Sequence, residues 1–569
     1  MAPLPSSRLT LLPPGGTVPR VDQPRFVLEQ HQRLSRSLLW RCQRAFYEQQ
    51  GIDAWRQAHI PNFITSNPVI SRAYAQVVLG WMRDWCAASR GETGRLAAPE
   101  PGQPFYLIEL GAGSGRFAFH FLEAFRRLHA RSQLRDVAFR YVMTDLSERN
   151  LEFWLSHPRL QPFLEEGLLD VARFDADHDE QLVLRRSGTV LAPGTVANPL
   201  AVVANYFFDS LPQDAFSLFD GVLHECLVSI SSPRPESEVE AEGFLEQATV
   251  TFEDHEVQGA CYGDAELDGI LEDYRERLDD VTVLFPSGPL RCLRRLQRLS
   301  GDRLLLLSGD KGHASEDELS DRVSGVSLVR HGGAFSLMVN YDAIGRYFRL
   351  RDGYVLRPIH RHASLHVGAF LLGQPPDGHG ETELAYEEFI ERSGPDDYST
   401  LLKRMEQPFE GRKLEELLAV LRWSGWDSGL LMTLFSELMS LAEDASEPLR
   451  QEVCWTIQQV WETDYPLGGE EDDLAFHLGM LLYVMDRPAD ALTFFDHSLR
   501  VGGLDPATYF NQGMCHLRLR REALALECFE RALALDSGFN EAREIISQVQ
   551  SPDWKGLEEH EASGEDSEA

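Results

Sequence analysis

Along the chain the apolar positions switch between continuous runs and helical repeats, and the switches mark the elements. Phe105 to Leu110 is a short apolar run, as expected of a strand buried on both faces. Arg116 to His129 then places Phe117, Phe121, Leu122, Phe125 and Leu128 on one helical side. Phe139 to Asp145 reads as a second strand, Leu168 to Phe174 as a third, Leu200 to Ala204 as a fourth and Arg303 to Ser308 as a fifth. Val326 to Val329, Phe335 to Val339 and His366 to Leu372 are expected to finish the sheet. Upstream, Arg25 to Ala58 has a helical pattern, an apolar helix is predicted from Arg72 to Ala88, and Gly91 to Pro104 is a connection. Gly221 to Leu290 is an insert between strands four and five, with a Glu-rich middle and β-like ends, and reads as a substrate-side cover.

From Ala385 onward the pattern is purely helical, and near its end it repeats. Gly479, Ala491, Phe495 and Ser498 recur as Gly513, Ala525, Phe529 and Ala532, each 34 residues later. Small residues where helices cross, with an aromatic between them, at this period resemble tetratricopeptide repeats. A closing helix is expected over 539–548, and helices between Leu414 and Trp461 would complete the stack. The resulting division is a leader and helix (1–58), an α/β domain (59–375, with its insert at 221–290), a helical segment (381–465), the repeats (466–550) and an acidic disordered tail (551–569).

The junction of the first strand and helix carries the chemistry. Glu109-x-Gly111-x-Gly113-x-Gly115 lacks the last gap of G-x-G-x-x-G, the spacing that seats a pyrophosphate on a helix end. That argues against a nicotinamide dehydrogenase. An acid at a strand end followed by G-x-G-x-G resembles the S-adenosylmethionine motif of Rossmann-like methyltransferases, where the turn cradles the cofactor's amino-acid part. A glycine turn that simply joins strand to helix is the plainer alternative. Asp145, ending the second strand, can accept ribose hydroxyls or cap the helix opened by Leu146 and Ser147. Asp175 follows the third strand, where such enzymes commonly meet the adenine amino group, although Asp177 and Asp179 blur the register. The fourth strand runs into Asn205-Tyr206-Phe207-Phe208-Asp209, at the end where open sheets bind ligands.

Composition narrows the setting. The chain has 569 residues, enough for two or three domains, with 43% hydrophobic and 25% charged residues. Its formal net charge of -35 argues against unaided binding to nucleic acid or an anionic membrane. No apolar run approaches the roughly 20 residues of a membrane span, and the Pro-rich start (Met1 to Arg20) reads as a flexible leader. The eight cysteines are scattered without a C-x-x-C pair, so reduced thiols and a cytoplasmic location are expected. His360, His362 and His366 lack a clear further ligand, and no metal site is expected there.

The N-terminal part resembles the MidA family of S-adenosylmethionine-dependent methyltransferases over about residues 60 to 372. The resemblance rests on Thr65-Ser66-Asn67-Pro68, on Glu109 to Gly115, on Ala204 to Pro212 and on Asp310-Lys311-Gly312. It implies a Rossmann-like α/β methyltransferase domain; the all-α repeat domain read from the 34-residue period follows it and is expected to bind a protein partner. The resemblance implies S-adenosyl-L-methionine as cofactor, held by Glu109, Gly111, Ala112, Gly113, Gly115, Asp145, Leu146, Asp175 and Asn205. Asn205 and Asp209 would line the methyl-transfer side, and a protein side chain would be the acceptor. The chain departs from the family's G-P-G-R-G turn at Ala112 and Ser114, and departs again where Tyr206 replaces Glu and where Met338 and Asn340 replace His and Asp. Those departures favour the rival reading, an inactive methyltransferase-like scaffold working through its repeats.

Overall fold

The structure, a computed structural model, describes residues 25–57, 63–88, 99–320, 325–360, 365–375, 377–405, 407, 411–468, 473–552, 554 and 556. The expected leader, residues 91–98 of the connection, His362 and the tail from 557 lie outside the described residues. In chain order the elements used below are β1 (Phe26–Gln32), α1 (Leu39–Gln50), α2 (Pro68–Ala88), β2 (Phe105–Leu110), α3 (Arg116–Ala130), β3 (Phe139–Asp145), α4 (Glu148–Ser156) and β4 (Leu169–Arg173). They continue with β5 (Leu200–Asn205), β6 (Asp214–Phe219), β7 (Val222–Ser232), β8 (Thr249–Glu256), α5 (Ala265–Arg277), β9 (Val281–Phe285), α6 (Ser287–Leu299) and β10 (Leu304–Asp310). Last come α7 (Tyr341–Arg349), β11 (Tyr354–Leu356), β12 (His366–Leu372) and α8 (Gly380–Tyr386).

The apolar runs pair as a seven-stranded mixed sheet in the order β11-β12-β10-β5-β2-β3-β4. Strands β10, β5, β2, β3 and β4 are parallel, and β12 runs antiparallel between β10 and β11. Every residue of β2 and β10 is buried, which is why these segments read as unbroken apolar runs. The chain leaves β2 toward β4 and returns to β5 on the other side, so a crevice opens past the carboxyl ends of β2 and β5. Helix α3 covers one face with a stack of Phe117, Phe121 and Phe125, spaced four apart, with ring centroids 6.0 and 5.3 Å apart. Helix α2 starts at Pro68, where Asn67 Oδ1 accepts the N–H groups of Val69 and Ile70.

Two expectations about strands are corrected. Val329–His331 pairs with Ala334–Ser336 as a separate hairpin, and Val339–Asn340 pairs with Gly312–His313. Neither joins the main sheet, because Gly332 and Gly333 turn the chain at once and Asn340 already caps α7 through the Ala343 N–H. Tyr354–Leu356 takes the edge instead. The stretch from Arg25 likewise begins as strand β1 rather than helix. Strand β7 is long, and β6 pairs only with its first part, Val222 to Glu225. The rest of that edge would be open, and β1 fills it at Val228 to Ser232. A second sheet results, β1-β7-β6-β9 with β8 on the other side of β7, and it begins at Asp214, ahead of the predicted insert start.

The chain divides into two compact units, residues 1–402 and 403–569. Helix α8 belongs to the first: Asp84 of α2 accepts the N–H groups of Glu381 and Thr382 and the Thr382 hydroxyl. In the second unit lie α9 (Leu414–Trp423), α10 (Ser428–Glu443), α11 (Glu447–Thr463), α12 (Leu474–Val484), α13 (Pro488–Val501), α14 (Pro506–Arg518), α15 (Glu522–Leu535) and α16 (Asn540–Val549). The 34-residue repeat has a steric basis. A Cβ on Gly479 would lie 2.7 Å from the Phe495 ring, and Gly513 meets Phe529 in the same way. Ala491, Ala525 and Ala532 are fully buried at the matching crossings. Among the described residues no helix is long and apolar enough to cross a membrane.

Candidate active site

The glycine turn between β2 and α3 is built by left-handed backbone at Gly111, Gly113 and Gly115 (φ 60°, 54° and 80°). Such a turn brings backbone close to whatever lies above it. A Cβ at Gly111 would lie 2.7 Å from the Phe207 ring, and one at Gly113 would lie 2.5 Å from Trp55. The two rings flank the turn without filling the space beyond it. A cavity of about 200 Å³ remains, room for on the order of a dozen waters. It is lined by Glu109, Gly111, Ala112, Gly113, Asp145, Leu146, Asp175 and Asn205, all expected from the sequence. Gly115 shapes the turn from behind, as the residue before α3.

Each expected side chain has a definite environment. Glu109 is buried and accepts the Tyr141 hydroxyl at 2.9 Å. Burial pushes its carboxyl up to about 8, although the tyrosine hydrogen bond works the other way. Asp145 is buried at the end of β3 and accepts the N–H of Gly113 (3.1 Å) and of Ser147 (2.9 Å). Burial raises its pKa, while those N–H groups hold it back. Asp145 therefore braces the glycine turn, and α4 begins after Ser147. Asn205 Oδ1 accepts the Tyr74 hydroxyl (2.8 Å) and the Gly309 N–H (3.0 Å). Its Nδ2 is buried and has no hydrogen-bond partner among the described residues.

Asp175 is engaged by protein. Its carboxylate accepts Arg44 Nη2 of α1 at 2.6 Å, His178 Nδ1 at 3.1 Å and the Asp177 N–H at 3.1 Å. Burial opposes ionisation, but Arg44 outweighs it and the carboxyl is held below its ordinary range. Arg44 is one of four α1 residues in the lining, with Trp40, Gln43 and Tyr47. The stretch read as a leader helix is thus a wall of the cavity. The polar-aromatic mix of that helix was the only sequence signal of this role.

Asp209 is not part of the lining; its chain neighbours Tyr206 and Ser210 are. The Asp209 N–H donates to Asp310 Oδ2 (3.2 Å), and the Ser210 hydroxyl donates to Asp209 Oδ1 (3.0 Å). Asp310 ends β10, is fully buried and also accepts the Lys311 N–H at 2.8 Å. Burial pushes Asp209 up to about 6, and burial together with the Asp209 charge drives Asp310 well above the carboxylate range. This acid pair joins ends of two neighbouring strands, a proximity that sequence reading had not drawn. Of the departures from the family, Ala112, Ser114 and Tyr206 line the cavity, and Met338 and Asn340 do not. At Tyr206 the departure is also one of backbone. Its φ is 46°, left-handed for a non-glycine residue. Asn340 caps α7 and donates to the Leu284 carbonyl, while Met338 packs in the core beneath the second sheet.

Fold and cavity together define an α/β domain with a cavity at the carboxyl ends of its central strands, in a chain that also carries a helical unit. Residues 85–287 match the family described as "Putative S-adenosyl-L-methionine-dependent methyltransferase", and residues 506–539 match the tetratricopeptide repeat. The cofactor of the matched family is S-adenosyl-L-methionine. No curated protein matches the chain. Two solved structures from Burkholderia thailandensis, proteins of one superfamily, are similar at low level. One, an uncharacterised protein, is 18% identical with a TM-score of 0.33, covering 57% of this chain and 72% of its own. The other, solved with bound S-adenosyl-homocysteine, is 17% identical with a TM-score of 0.32, covering 52% and 63%.

Proposed function

We propose that the cavity binds S-adenosyl-L-methionine in a Rossmann-like domain and that the chain transfers its methyl group to a protein side chain. The observation that carries this is the donor set around the glycine turn. Two buried carboxylates, Glu109 and Asp145, and the unpartnered Asn205 Nδ2 converge on one space. Apolar walls from Trp40, Phe174, Phe207 and Leu146 complete it. This set suits a ligand with a cationic amino-acid end, a ribose and a flat base. The bound cofactor supplies an electrophilic methyl group on a sulfonium.

The remaining chemistry belongs to this chain. Glu109 holds the cationic end, and Asp145 presents its carboxylate to ribose hydroxyls while bracing the Gly113 N–H. Asn205 aims Nδ2 at the methyl-transfer side. Asp175 lines the end of the cavity that would take the adenine, while its pair with Arg44 anchors α1. Asp209 stands outside the lining and would act on the methyl-transfer side only through Ser210, whose hydroxyl it accepts. Positioning of acceptor against methyl supplies much of the rate. The second unit recruits a protein partner along its repeats, and all eight cysteines are free thiols, in keeping with a cytoplasmic setting.

The test is transfer of radiolabelled methyl from S-adenosyl-L-methionine to proteins of a lysate. The wild type labels a band, and Gly113→Val, whose side chain would collide with Trp55 beside the glycine turn, labels none. A second reading, an inactive scaffold, is favoured by Tyr206 standing in the cavity with a strained backbone. Cofactor binding by the wild type with no labelled protein would establish the scaffold and overturn the enzyme.

A further inference from the structure

The second sheet gathers three side chains of metal-ligating types, on segments far in sequence from the glycine turn. Glu253 and His255 are two apart on β8, so they project from the same face. That face is solvent-exposed: opposite them on β7 stand Leu227 and Glu225, whereas Cys226 and Val228 point into the core. His31 comes from β1, on the other side of β7, and its side chain crosses over β7 to meet them. His31 Nε2 lies 3.1 Å from Glu253 Oε2, and the His31 and His255 rings are 4.9 Å apart. One ligand atom from each of the three lies within 4.8 Å of the others.

The backbone is distorted where this happens. The β1–β7 register slips between Glu29 and Gln32, and His31 there has φ 46°, the left-handed region that favours glycine. Its N–H donates to Ser229 Oγ, which holds the bulge in place. Regular pairing would have carried residue 31 onward along the strand; the bulge turns its side chain across the sheet instead. A strained non-glycine residue aimed at two potential ligands is the pattern of a purposeful distortion. Glu225 is not a fourth ligand, because Arg33 holds both of its carboxylate oxygens.

We propose that His31, Glu253 and His255 form a binding site for a divalent transition-metal ion, with zinc the foremost candidate. Two imidazoles and one carboxylate suit zinc and its first-row neighbours, whereas magnesium and calcium prefer oxygen alone. Ligand bonds of about 2.0–2.1 Å in a tetrahedron place ligand atoms roughly 3.3 Å apart. The present spread of up to 4.8 Å closes with small side-chain rotations at exposed residues. The ion would displace the His31–Glu253 hydrogen bond and leave a coordination position for water or an outside group. It would also tie β1 to β8, pinning the strand that leads into α1 and the cavity wall.

The test uses the full chain, freed of metal by chelation and titrated with Zn²⁺ and separately with Co²⁺. The wild type binds one more equivalent than a His31→Ala/His255→Ala double variant, and Co²⁺ gives visible absorption that the double variant lacks. Glu253→Gln weakens Zn²⁺ binding at least tenfold while both histidines remain. Zn²⁺ also raises the thermal midpoint of the wild type and not that of the double variant. Equal stoichiometry and equal Co²⁺ spectra in the wild type and double variant would overturn the site. Since all three residues are exposed, the metal-free midpoint of each variant serves as the folding control.

Discussion

Glu109 is the residue whose environment most directly ties cavity to ligand. Its folded-state carboxyl titrates near 8, against an ordinary 4.5. Between those values the folded chain holds a proton that the unfolded chain has lost, so this group's contribution to stability falls as pH rises through that window. Glu109→Gln removes the effect. At pH 5 the variant and wild type should melt together, and at pH 9 the variant should melt higher, as calorimetry would show. A cationic ligand pulls the carboxyl back into its charged form. Binding of S-adenosyl-L-methionine near pH 7 should therefore release close to one proton from the wild type and much less from Glu109→Gln. Titration in buffers of different ionisation enthalpy reads this directly. Gly113 supplies the complementary prediction. Gly113→Ala combines a left-handed backbone with a Cβ 2.5 Å from Trp55, and should cost about 2–4 kcal/mol of stability. Cofactor binding should be lost with it.

Among the elements, α1 is a wall of the cavity. It brings Trp40, Gln43, Arg44 and Tyr47 to the cavity and is held by the Arg44–Asp175 pair. Arg44→Ala should leave the fold intact, because the pair is partly exposed. It should release bound cofactor several-fold faster, as stopped-flow fluorescence of the tryptophans would show. Unchanged release would mean that α1 is a fixed wall. The sequence made the central strands, the glycine turn and the acids at their ends readable, because buried parallel strands and left-handed turns restrict residue choice strongly. Strand β1 was unreadable for the opposite reason. Its residues are half exposed, and the open edge of β7 that makes it a strand lies two hundred residues away. The Asp209–Asp310 pair was hidden in the same way. Each acid was visible, yet only the pairing of β5 with β10 brings them together.

At the scale of the molecule, the cavity and the repeats belong to different units. The cavity is formed wholly within residues 1–402, so a chain ending after residue 405 should bind cofactor within about twofold of the full-length affinity. It should lose methylation of the protein acceptor if the repeats do the recruiting. Retained labelling of the same acceptor would separate the repeats from substrate choice. The repeat unit was legible because its crossings demand small residues facing Phe495 and Phe529, a constraint that recurs every 34 residues. The second sheet carried no such periodic signal. The central claim is that the space beside the glycine turn receives S-adenosyl-L-methionine, and calorimetric titration of the full chain tests it most directly. The account predicts one site of micromolar affinity in the wild type and none in Gly113→Val. An absence of binding heat in the wild type, or equal binding by a folded Gly113→Val, would contradict it.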